Sequence, residues 1–142
     1  MKRFTKILCM TLAILMSLSI TAAAAEVTPR ASAYFSSYDT YLWETSSTSF
    51  QVWFEITAVR GMTELGVDSI EIERSSDGVN WTVVKTYDRD DYSNLIATNT
   101  AYHGGHVTYS NRQSGYQYRA YVDFYAKNSS GGRGYYGAYA YF

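Results

Sequence analysis

The chain has 142 residues, 46% of them hydrophobic and 18% charged, with a formal net charge of −1 at neutral pH. Three of its 12 Lys and Arg residues fall within the first six positions, leaving 9 against 13 Asp and Glu over the rest of the chain. No basic stripe remains to neutralise phosphates, which excludes nucleic acid as a partner and disfavours an anionic membrane surface.

In chain order, Lys2, Arg3 and Lys6 precede an uncharged apolar stretch from Ile7 to Ile20, and the small residues Ala22 to Ala25 follow. That order predicts a signal peptide over 1–25 and cleavage before Glu26, because the apolar stretch is shorter than the roughly 20 residues a membrane span needs. Cys9, the only cysteine, leaves with the signal, so the remaining 117 residues (26–142) carry no thiol. A cysteine-free exported domain of this size suggests a bacterial secreted protein with a core that needs no disulfide.

After a Tyr- and Ser-rich start, Phe50, Val52, Phe54, Ile56 and Ala58 alternate with polar residues and Trp53, which predicts a half-buried strand with Trp53 outward. MTELG (62–66) reads as one helical turn closed by Gly66. Val67 to Arg74 and Trp81 to Tyr87 form a hairpin across Ser75-Ser76-Asp77-Gly78. Asp88 to Asn94 is a solvated connection. Short strands follow around 96–102 and 106–109, with Gly104-Gly105 as the turn between them. Tyr116 to Tyr125 alternates strongly, Lys127 to Gly132 is a turn, and Tyr135 to Phe142 closes the chain as a strand. About seven short strands and no helical period predict an all-β antiparallel sandwich.

IERSSDGVNWTVVKTY (72–87, the hairpin) and GYQYRAYVDFYAKNSSG (115–131) resemble a fibronectin type III or immunoglobulin-like module. In that resemblance Tyr118 stands where such folds place a corner tyrosine whose hydroxyl bonds to nearby backbone. The whole layout is similar to small secreted proteins of Gram-positive bacteria known as uncharacterised families. The resemblance implies an immunoglobulin-like β-sandwich and an extracellular location. The proline that often precedes the corner tyrosine is missing, since Pro29 is the only proline.

Three sets of residues carry candidate chemistry. His103-Gly-Gly-His106 places two imidazoles across a tight turn, where they could share Zn²⁺ or Cu²⁺, although a site also needs a third ligand. Asp88, Asp90 and Asp91 could serve acid/base work, yet no nucleophile, base and orienting group can be named together. The outward aromatics Trp53, Tyr121, Tyr125, Tyr135, Tyr139 and Tyr141 form the candidate binding set. Tyrosine offers rigid contact area and a hydroxyl, while the same rings can also serve only to pair strands. The expectation is a non-catalytic secreted binding or adhesion module without a cofactor, its tyrosine face meeting a glycan, a peptide or another copy. A secreted effector or toxin-like protein acting on neighbouring cells, and a small secreted hydrolase, are the alternatives.

Overall fold

The computed structural model describes residues 33–142; the expected signal peptide and its cleavage point lie outside the described residues. These residues form six β-strands: β1 (Phe35–Ser46), β2 (Ser49–Ser75), β3 (Thr82–Asp88), β4 (Ile96–Tyr109), β5 (Gln117–Lys127) and β6 (Arg133–Tyr141). A short 3₁₀ turn, Ser93–Leu95, leads into β4. All pairing is antiparallel, in one curled six-stranded sheet. Among the described residues no helix is long and apolar enough to cross a membrane.

β2 organises the sheet. Its first half pairs with β1 on one side and β4 on the other, in register Tyr41↔Trp53↔His106. Its second half pairs with β3 and β5, in register Lys85↔Ile72↔Ala120. β6 then adds to β5. Register shifts between Thr57 and Met62 and between Val67 and Ser69 bend the strand and reset which side chains face inward. Hence Phe50, Val52, Phe54 and Ile56 are buried from the first half, Leu65 and Val67 between the shifts, and Ile70 and Ile72 beyond them.

The curl brings these residues onto Ala120, Val122 and Phe124 of β5, with Phe50 5.6 Å from the Tyr118 ring and Tyr38 5.3 Å from Phe124. Burying each large aliphatic or phenyl side chain contributes about 1.5–3 kcal/mol, so this contact is the main cohesive term. The Tyr118 hydroxyl accepts a hydrogen bond from the Gln113 backbone N–H at 2.9 Å, pinning the loop that enters β5. The Tyr87 hydroxyl donates to the Thr108 carbonyl at 2.7 Å, tying β3 to β4.

Three local expectations are corrected. MTELG is strand, not a helical turn, because Met62 and Leu65 are needed in the core and pair with Thr100 and Ala97. Gly104-Gly105 makes no turn; β4 runs straight through it, the Gly105 position receiving the Phe54 ring. The strands expected at 50–58 and 67–74 are one strand, as are those at 96–102 and 106–109. The Tyr- and Ser-rich start forms β1, whose inward positions Tyr38, Thr40 and Leu42 lack the aliphatic alternation that announces a strand.

Candidate functional site

The hairpin joining β2 to β3 is built by Asp77, whose carboxylate accepts from the backbone N–H groups of Val79 and Asn80 at 2.9 and 2.8 Å. Those backbone bonds and the Asn80 side chain hold the Asp77 carboxyl far below its ordinary range. Gly78 follows with φ +74°, a left-handed backbone that favours glycine, and it packs against the Gln117 side-chain amide. This turn places Trp81 beside the start of β5 and the end of β6.

There Trp81, Arg112, Tyr116, Gln117, Tyr141 and Phe142 line an open cavity of about 530 Å³. Its rings are backed by guanidinium groups. Arg119 lies 4.2 Å from the Trp81 ring and 4.4 Å from that of Tyr139, and is ion-paired to Glu73. Arg74 lies 4.6 Å from Tyr116 and donates to the Gln113 side chain at 2.7 Å. Arg112 lies 4.7 Å from Phe142 and pairs with Glu44 at 3.0 Å. Cation–π contacts of this kind contribute about 0.5–1 kcal/mol each at exposed sites, and here they also fix ring orientation. The rings still face solvent, Tyr141 being 57% and Phe142 54% exposed.

From Tyr141 the aromatic surface continues along the outward face. Tyr139 is 5.9 Å from Tyr141 and 5.0 Å from Tyr121, its cross-strand partner. Tyr121 is half-buried, its hydroxyl lying over Gly137, where any Cβ would collide with it. Burial, and after it the Asp123 carboxylate, pushes the Tyr121 phenol above its ordinary value, so the ring presents a neutral hydroxyl.

Of the sequence candidates, the structure therefore brings together Tyr121, Tyr139 and Tyr141. Tyr135 is exposed but sits further along β6, beyond Gly137. Tyr125 is not exposed: Arg89 covers its ring at 4.4 Å, Tyr135 packs beside it at 5.2 Å, and its hydroxyl donates to Glu64 at 3.0 Å. Trp53 belongs to another part of the sheet, half-buried between Tyr41 and His106. Trp81, Tyr116, Phe142, Arg112 and Gln117 were missed, because they meet only when a hairpin tip, a loop and a strand end converge.

His103 and His106 do not share a site. Three residues apart on an extended strand, they point to opposite faces. His103 contacts Phe54 and bonds through Nε2 to the Asn94 carbonyl oxygen at 2.9 Å, while His106 stacks on Trp53 at 4.5 Å. Among the described residues no group of three or more His, Cys, Asp or Glu is placed to hold a metal. Asp88, Asp90 and Asp91 border a shallow depression with Asp68, into which Arg89 reaches to pair with Asp68 at 3.1 Å.

Compared with protein-family models, curated proteins and solved structures, the chain matches none of them.

Proposed function

We propose that the chain is a secreted, non-catalytic binding module that holds a glycan at the cavity around Trp81, Tyr116, Tyr141 and Phe142 and along the adjoining Tyr139 and Tyr121. The observation that carries this reading is the concave, aromatic lining with a few convergent polar groups, Arg112 and Gln117, which is the usual make-up of a ligand site. Pyranose rings stack their C–H faces on such side chains, and Gln117 and the Tyr141 hydroxyl are available for sugar hydroxyls. The signal-like start supports export from a bacterial cell. The immunoglobulin-like sandwich is part of the proposal. It is supported by the division of β2 between a β1–β2–β4 half and a β3–β2–β5–β6 half, and by the Tyr118 hydroxyl bond to backbone.

A glycan array probed with the purified protein tests the reading. Binding is expected to fall at least about tenfold in Tyr141→Ala, as for loss of an interface anchor, with the melting temperature essentially unchanged. An array without signal, or signal indifferent to Tyr141→Ala and Trp81→Ala, would remove it. Pairing with another copy along β6 is a second reading, favoured because β6 bonds only to β5 and carries a single charge, Arg133. A monomeric sedimentation profile at high concentration would dismiss that one.

A further inference from the structure

Cross-strand register builds a second aromatic surface, sharing no residue with the cavity, on the part of the sheet formed by β1, β4 and the first half of β2. Tyr41, Trp53 and His106 are direct neighbours across three strands. The Tyr41 and Trp53 rings are parallel to within 1° at 6.2 Å, and His106 lies 4.5 Å from Trp53 at 29°. Trp43, two residues along β1 from Tyr41, adds an indole that is 61% exposed. A row of this kind crosses the strands, so an extended chain lying at right angles to them meets all three rings.

Polar groups beside the row select the chemistry of that chain. The Trp53 Nε1–H donates to the Gln51 side-chain oxygen at 2.9 Å, which fixes the indole and leaves the Gln51 amide N–H groups for a ligand. Asp39 and Glu55, paired with each other in the next row, supply carboxylate oxygens that accept from hydroxyls. There is no Lys or Arg in β1, in β4 or in residues 49–59 of β2. The surface therefore offers nothing to hold a polyanion and would repel one, in contrast to the arginine-backed cavity.

We propose that Trp43, Tyr41, Trp53 and His106, with Asp39, Glu55 and Gln51 beside them, form a second binding surface for an uncharged, hydroxyl-rich polysaccharide chain. It uses none of the cavity's residues and stands independently of the function proposed for the cavity.

Native gel electrophoresis of the purified protein through hydroxyethylcellulose, galactomannan, laminarin or polygalacturonate tests this. At least one of the three neutral polymers is expected to retard the protein. Trp43→Ala and Tyr41→Ala, both at exposed positions, should each weaken that retardation about tenfold or more while the melting temperature holds, and Tyr141→Ala should leave it intact. Three results would overturn the proposal: no retardation by any neutral polymer, retardation unaffected by Trp43→Ala and Tyr41→Ala, or stronger retardation by polygalacturonate that depends on Trp43. A dimer in sedimentation velocity that Trp43→Ala dissolves would also overturn it, assigning the surface to a second copy of the chain. Loss of array binding in Tyr141→Ala reports on the cavity alone, so the two readings fail separately.

Discussion

The Gln113 N–H bond to the Tyr118 hydroxyl holds the loop before β5 against the core, and the Tyr118 ring is itself buried. Tyr118→Phe keeps the packing and removes the bond, so unfolding in urea should show a loss of about 1 kcal/mol, the usual net worth of one hydrogen bond. Gly137 makes room for Tyr121, whose hydroxyl occupies the place of a Cβ. Gly137→Ala should cost about 1–3 kcal/mol by overpacking and also displace Tyr121 from the tyrosine face, visible as altered near-ultraviolet circular dichroism. Two carboxylates on the outward face titrate in opposite senses. The hydrogen bond from Lys127, opposed by burial and aided by Tyr125 and Arg89, lowers the Glu64 pKa below its ordinary 4.5. Burial and the nearby Asp68 raise that of Asp123 above 3.8. Glu64 thus contributes stability that is present above 4.5 and lost as pH falls through its lowered value. Asp123 does the reverse: folding is favoured while it is protonated, and that advantage is lost as pH rises through its raised value. Melting temperatures measured against pH should show Glu64→Gln flattening the acid limb, and Asp123→Asn stabilising the protein at pH 7 but not near pH 3.

At the scale of elements, β2 joins the two halves of the sheet as one continuous strand, paired on both sides over 50–57 and again over 69–74. Neither half keeps its core without it. Trp53 reports on one half and Trp81 on the other, so their combined fluorescence and the far-ultraviolet circular dichroism should lose signal in a single coincident urea transition. Two separated transitions would show that the halves unfold independently. The strands of β2 and β5 were legible in the sequence because inward residues such as Phe54, Ile72, Val122 and Phe124 are aliphatic or phenyl and their neighbours are not. β1 was not, since its inward Tyr38 and Thr40 resemble its outward residues in composition. The fusion of two strands into β2 was hidden as well. Alternation breaks at a bulge just as it breaks at a turn, and Gly61 and Gly66 carry the composition of a turn while lying within β2. The tyrosines of β6 could be assigned to one side from spacing alone, whereas the burial of Tyr125 depends on Arg89, thirty-six positions earlier in the numbering and close only in the fold.

Over the whole molecule, aromatic residues and charges are distributed unevenly. Arg74, Arg112 and Arg119 gather at the cavity, and the strand segments that carry Trp43, Trp53 and His106 contribute carboxylates and no Lys or Arg of their own. Cross-strand pairing alone would account for Tyr121 against Tyr139, but strand pairing does not require a cavity of about 530 Å³ at a strand end with Tyr141 and Phe142 left open to water. The chain's three tryptophans, Trp43, Trp53 and Trp81, give separate indole N–H signals, and only Trp81 lines the cavity. Titration of the ¹⁵N-labelled protein with neutral and acidic oligosaccharides at millimolar concentration tests the central claim most directly. At least one of them should shift the Trp81 signal together with the Gln117 and Tyr141 amides in a saturable way. A Trp81 signal that stays fixed at the highest concentration of every sugar would contradict the account.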